Sequence, residues 1–251
     1  MKVFKKLSEW REYRRNLPDA KIGFVPTMGA LHEGHISLIR RCCRENEITV
    51  ASIFVNPTQF NDKNDLKNYP RTYERDHEML EKSGTDCLFY PTQEEMYSDN
   101  FNYRVVENNV SKVLCGLSRP GHFEGVMTVV LKLFNIVKPR RTYFGEKDYQ
   151  QLMLIKEMAE SFFLDIEVIG CPIVRESSGL AMSSRNERLS EEGRKKASVL
   201  YKLLSEKREK SEINKSLEAE GFQVDYLEDL FGRRFAAVIL ENVRLIDNVQ
   251  L

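Results

Sequence analysis

The chain carries no net charge: 38 Lys and Arg are balanced by 38 Asp and Glu. That balance removes the long-range field that draws a protein to nucleic acid or to an anionic membrane, so any anion must be caught by local geometry. Long apolar runs are missing too. The longest, Val126 to Val137, is broken by Lys132 and is too short to span a bilayer. The first residues, Met1-Lys2-Val3-Phe4-Lys5-Lys6, lack the apolar core of a signal peptide, and a cytoplasmic protein is the expectation. There are only four histidines, and the five cysteines (Cys42, Cys43, Cys87, Cys115, Cys171) include no Cys-x-x-Cys pair. A zinc site is therefore disfavoured and reduced thiols are expected.

At 251 residues and 41% hydrophobic content, the chain can bury a sizeable core in one large domain or two smaller ones. Short apolar runs at Ile22–Val25, Ile48–Val55, Cys87–Tyr90, Thr142–Phe144 and Ile166–Ile169 read as strands, and helical periodicity covers Ile36–Arg44, Thr72–Lys82, His122–Val137 and Tyr149–Ser161. Such alternation implies an α/β fold: a Rossmann-like parallel sheet with flanking helices, whose ligands collect at the carboxyl ends of the strands. From about Val174 the texture changes. Ser190 to Gly221 is dominated by Glu, Lys, Arg and Ser, and Glu206-Lys207-Arg208-Glu209-Lys210 reads as a solvated helix face. Glu176-Ser177-Ser178-Gly179 reads as a hinge between a first domain, residues 1–174, and a smaller C-terminal α+β lid domain, residues 175–251.

Directly after the first long apolar run comes Pro26-Thr27-Met28-Gly29-Ala30-Leu31-His32-Glu33-Gly34-His35. Two histidines one helical turn apart, where a strand gives way to a helix, meet free backbone N–H groups and the positive end of the helix dipole. Imidazoles there can donate to phosphate oxygens and to charge that develops on them, which suggests chemistry on a nucleotide. The same spacing also occurs in ordinary surface residues and in half of a metal site.

Four further segments carry chemistry. Asn56-Pro57-Thr58-Gln59 closes the second run; it reads either as loop punctuation or as two neutral amides that hold hydroxyls and a carboxylate without quenching the carboxylate as a nucleophile. Gly145-Glu146-Lys147-Asp148-Tyr149-Gln150-Gln151 sits where a strand passes into a helix: Lys147 can reach a phosphate as a point charge, Asp148 is a helix cap or a ligand, and Gln151 can face a substrate. Met182-Ser183-Ser184-Arg185 forms either a phosphate-gripping set that closes over a triphosphate or a serine-rich cap. In Arg119-Pro120-Gly121-His122-Phe123 the Pro-Gly marks a tight loop, and His122 reads as structural.

Taken together, PTMGALHEGH (26–35), SIFVNPTQF (52–60), NYPRT (68–72), RPGHF (119–123), TYFGEKDYQQL (142–152) and GLAMSSRN (179–186) resemble the pantothenate synthetases, the pantoate–β-alanine ligases, in order and spacing across most of residues 20–190. More distantly they resemble nucleotidyltransferases that share the His-x-Gly-His element. The resemblance implies that pantoate's carboxylate attacks the α-phosphorus of ATP, that pyrophosphate leaves, and that the amine of β-alanine then displaces AMP, with Mg²⁺ bridging phosphates. It makes His35, His32 and Lys147 the catalytic residues. The ATP contacts it implies are Met28, His32, His35, Gly145, Lys147, Asp148, Val174, Met182, Ser183, Ser184 and Arg185. Pantoate would meet Asn56, Gln59 and Gln151, with Met28 packing against it. A cytoplasmic homodimer acting on small molecules, with no nucleic acid or membrane partner, is also implied.

Two departures from the family pattern stand out. In Glu74-Arg75-Asp76-His77 an arginine interrupts the usual acidic pair, leaving Asp76 as the one carboxylate at the place expected for a metal ligand. The second domain keeps Val243-Arg244-Leu245-Ile246-Asp247-Asn248, but Phe222 to Asn242 reads as compressed, so closure over ATP is expected to differ. The rivals are an adenylyl- or cytidylyltransferase acting on a phosphate-bearing acceptor, which would want a basic acceptor pocket, and an inactive nucleotide-binding protein, which would be expected to lose His35, Lys147 or the Ser-Ser-Arg loop.

Overall fold

Six strands make one parallel sheet: β1 (Lys2–Phe4), β2 (Ile22–Thr27), β3 (Ile48–Ile53), β4 (Cys87–Phe89), β5 (Arg141–Gly145) and β6 (Glu167–Cys171). Their spatial order is β1-β4-β3-β2-β5-β6 in a computed structural model that describes residues 1–17 and 21–251. Side chains alternate between two covered faces, as a parallel sheet flanked by helices requires. Phe24, Val50 and Phe89 pack with Trp10 of the helix Leu7–Arg15 and with the helices His122–Val137 and Tyr149–Ser161. Val25, Ala51, Leu88 and Tyr143 face the opposite way, onto Leu38 and Ile39 of the helix Glu33–Glu45 and Leu80 of the helix Tyr73–Lys82.

From β2 the chain moves to β3 and β4 on one side, whereas β5 and β6 lie on the other. The carboxyl ends of β2 and β5 therefore border a topological switch point, the place where open α/β sheets bind their ligands. All five strands expected from the apolar runs are present with small shifts at their ends. The sequence reading missed β1, which spans three residues and begins with Lys2, too little for a periodic signal.

A second, antiparallel sheet of β7 (Gln223–Leu230), β8 (Arg233–Leu240) and β9 (Val243–Gln250) closes the chain. Its apolar face packs on Leu200, Leu204, Ile213 and Leu217 to form a separate core that begins at Leu180. Phe222 to Asn242 is not compressed but holds a complete hairpin. The sheet's two-residue turns, Phe231-Gly232 between β7 and β8 and Glu241-Asn242 between β8 and β9, have positive φ at each position, the conformation that joins twisted strands tightly. The stretch expected to be a hinge is likewise ordered. Gly179 (φ +91) turns a short hairpin in which Arg175 pairs with Ala181 and the N–H of Glu176 donates to Leu180 O at 2.8 Å. Among the described residues no helix is long and apolar enough to cross a membrane.

Candidate active site

The loop leaving β2 bends through two positive-φ residues, Gly29 (+79) and Ala30 (+50), the second a conformation that ordinary side chains avoid. Asp76 holds it there. Its carboxylate, 1% exposed, accepts the N–H of Ala30 and of Leu31, each at 2.8 Å, and the Thr72 hydroxyl at 3.1 Å. With its oxygens turned into the loop, Asp76 does not line the cavity. The position expected for a metal ligand thus does another task, because the nearest donors are backbone amides that a carboxylate satisfies best.

That loop delivers His32 to the N-terminus of the helix Glu33–Glu45. His32 Nδ1 accepts the Gly34 N–H at 3.1 Å, and His35 Nδ1 accepts the His32 N–H at 3.4 Å, a reciprocal cap made of two imidazoles. A nitrogen that accepts an N–H carries no proton, so in each ring the proton sits on Nε2. Burial pulls the His32 pKa down to about 4 and the His35 pKa to about 3; Lys147 pushes both the same way, and His32 adds to the effect on His35. Both rings are consequently neutral near pH 7. Gly34 is dictated by this packing: a Cβ there would lie 2.8 Å from the His32 ring.

At the end of β5, Gly145 opens a short 3₁₀ turn, Glu146–Asp148, that leads into the helix Tyr149–Ser161. A Cβ on Gly145 would meet nothing within 4 Å, so the backbone faces open space that a ligand can approach. Asp148 occupies the N-cap position but makes no capping bond, which favours the ligand reading of this residue over the cap. Across the cavity, Ser183 caps the turn Ser184–Arg188, accepting the Arg185 N–H at 3.2 Å. Arg185 is already paired, at 2.9 Å, with Asp65, which also takes Arg188 at 3.0 Å.

On the side of the acid, the amides are arranged in series. Asn56 is 1% exposed and does not line the cavity. Its Oδ1 accepts the Thr58 N–H at 3.4 Å and hydroxyls of Thr58 and Tyr97 at 2.9 and 2.8 Å, while its Nδ2 donates to Gly125 O and to Gln59 Oε1, each at 3.1 Å. Gln59 therefore turns its oxygen toward Asn56 and its NH₂ toward the cavity, 3.1 Å from Met28 Sδ. The Gln59 carbonyl is held by His122 Nδ1 at 2.8 Å and by Arg119 at 3.1 Å; Arg119 also donates to His122 Nε2. Burial, and then Arg119, lower the His122 pKa to about 3, so this ring too is neutral.

These elements surround a cavity of about 250 Å³ at the switch point. Met28, His32, His35, Gln59, Gly145, Lys147, Asp148, Gln151, Val174, Met182, Ser183, Ser184 and Arg185 all line it; of the residues singled out from the sequence, Asn56 and Asp76 stand behind the wall. Sequence reasoning missed the apolar wall, Val126, Val129, Val130 and Leu133 of one helix, and Tyr69 within the NYPRT segment. The wall was legible as a helical stripe, but a stripe does not say whether it faces core or ligand. Among the described residues no group of three or more His, Cys, Asp or Glu could hold a metal ion.

A family model described as pantoate-beta-alanine ligase matches residues 2–250. A pantothenate synthetase of Bdellovibrio bacteriovorus is 52% identical over 249 residues, covering 99% of each chain, and one of Legionella pneumophila is 50% identical over 252 residues, covering all of both. The crystal structure of a pantoate-beta-alanine ligase from Francisella tularensis, complexed with beta-gamma ATP and beta-alanine, superposes with a TM-score of 0.96 at 42% identity, covering 100% of this chain and 97% of that one. Matches that run from end to end show that this chain belongs to the pantoate-beta-alanine ligase family.

Proposed function

We propose that the chain joins pantoate to β-alanine in two steps at the expense of ATP. A carboxylate oxygen of pantoate attacks the α-phosphorus while the bond to pyrophosphate breaks; the β-alanine nitrogen then attacks the acyl carbon and AMP departs. The observation that carries this reading is a pair of neutral Nε2–H donors fixed at the switch point, sharing one cavity with Lys147 and with Gln59 and Gln151. Donors set in advance toward a phosphate stabilise the charge that grows there, each worth roughly a hundredfold or more in rate. His32, His35 and Lys147 are assigned that task, and Ser183, Ser184 and Arg185 the departing pyrophosphate.

Gln59 offers an N–H to a hydroxyl or carboxylate without adding charge, and the wall of Val126, Val129, Val130 and Leu133 suits the two methyl groups of pantoate. Residues 1–174 are assigned the substrates and residues 175–251 the lid. Mg²⁺ is assigned to the triphosphate substrate; among the described residues no group of three or more His, Cys, Asp or Glu gathers to hold it. We further assign a cytoplasmic homodimer; exposed Tyr103, Val106 and Leu117 supply apolar surface for a partner copy, and sedimentation velocity tests it. Incubating the protein with ATP, Mg²⁺ and pantoate alone tests the chemistry: pyrophosphate is released, and AMP follows when β-alanine is added. Release of ADP and phosphate would overturn the mechanism.

A further inference from the structure

Strand β9 reaches the phosphate-facing segments through two neighbouring side chains. Asn248, 1% exposed, donates both amide hydrogens, one to the carbonyl of Glu146 and one to that of Lys147, each at 3.0 Å. Its Oδ1 accepts from Arg233 Nε at 2.6 Å, and the Arg233 guanidinium lies 4.4 Å over the ring of Tyr149. The amide thus has one permitted orientation, since two carbonyls demand the NH₂ and the guanidinium demands the oxygen.

Asp247, 3% exposed, holds Arg175 through bonds of 2.6 and 2.9 Å and also accepts the N–H of Asn248 at 2.8 Å. Arg175 in turn donates to Gly179 O at 3.1 Å, inside the hairpin that leads to Met182 and Ser183. One strand of the C-terminal sheet therefore grips both segments assigned to the phosphates.

We propose that Asn248 is a positioning residue for Lys147, and that with Asp247 it registers the Lys147 turn against the Met182–Arg185 loop. The proposal rests on the role assigned to Lys147 above. The turn it holds is a three-residue 3₁₀ piece behind an unbraced glycine, so its carbonyls have little helix to anchor them. A misplacement of about 1 Å at such a point costs up to a hundredfold in rate.

The test is a double-mutant cycle on single-turnover pyrophosphate release with ATP, Mg²⁺ and pantoate. Asn248→Asp keeps the shape but sets a carboxylate against two carbonyls; Asn248→Ala removes the donors. Each slows release by between tenfold and about a hundredfold in the wild-type background. In a Lys147→Ala background the same changes slow it by less than about threefold, because the group they position is gone. A merely structural role predicts equal losses in both backgrounds, and that result overturns the proposal. Should the Asn248 variants not fold, Arg233→Lys keeps the charge over Tyr149 but removes the Nε–H, and the same dependence on Lys147 is expected. If Lys147→Ala alone leaves the rate unchanged, the proposal falls together with the role of Lys147. If the wild type releases no pyrophosphate, the adenylation reading itself fails.

Discussion

Replacing Asp76 by Asn keeps the outline of the side chain and removes one acceptor together with the charge. In the structure two backbone N–H groups point at its two oxygens, both at 2.8 Å in a buried setting. An asparagine can serve one of them and must turn an NH₂ toward the other. Hydrogen bonds to a charged acceptor contribute about 1.5–3 kcal/mol, and a buried donor left without a partner costs about 1–3 kcal/mol, so a loss of about 3 kcal/mol is expected. With a urea m-value of about 3 kcal/mol/M, the unfolding midpoint should fall by about 1 M. The freed loop also loses hold of Ala30 at φ +50 and hence of the His32–His35 cap. Adenylate formation should slow by about tenfold or more, since the histidine donors are no longer held in place. Urea titration and pantoate-dependent pyrophosphate release, each run across a Mg²⁺ series, measure both effects. If Asp76 bound a metal, excess Mg²⁺ would restore the rate and the urea midpoint would hardly move; that pair of results would refute the reasoning.

His35→Ala should slow pyrophosphate release by roughly a hundredfold while leaving pantoate affinity within about threefold; a near-normal single-turnover rate would remove it from the transition state. Because the His32 and His35 pKa values lie near 4 and 3, the kcat/KM of adenylation should show no inflection near 6.5 that disappears in His35→Asn. His122 sets a pH dependence of stability. Its folded pKa, about 3, lies below the ordinary 6.5, so its contribution is whole above pH 6.5 and is lost as pH falls toward 3. At pH 5 the loss is about 2 kcal/mol, and urea unfolding of His122→Gln at pH 7.5 and 5 should show a flatter dependence than the wild type.

The sheet was largely legible because buried parallel strands write themselves as apolar runs: Ile22, Phe24 and Val25 are wholly inside. The residues lining the cavity were legible where strand ends meet helix starts, as in the His-x-Gly-His and Gly-Glu-Lys-Asp segments. The partners of residues that act through others were not. Asp76 reaches Ala30 across 46 positions and His122 reaches Gln59 across 63, and no local spacing encodes such meetings. Asn56 looked like a ligand because an amide beside a proline is chemically apt for one; burial behind Gln59 is a tertiary fact. The local form of Glu176-Ser177-Ser178-Gly179 was not legible either, since Ser-Ser-Gly serves a tight turn as well as a loose one.

The amide series behind Gln59 has a direction, and main-chain atoms anchor it: the Thr58 N–H at the oxygen of Asn56 and the Gly125 carbonyl at its nitrogen. Since neither anchor is a side chain, exchanging a single neighbouring residue does not turn the sequence of donors and acceptors around. The pocket's grammar is thus written in the backbone, with Gln59 as its last word. A carboxylate or hydroxyl reads correctly against it, whereas an ammonium or amide NH₂ set at the same point meets another donor. At this point of the pocket an anionic acid meets a neutral donor, an arrangement inherited from the path of the chain.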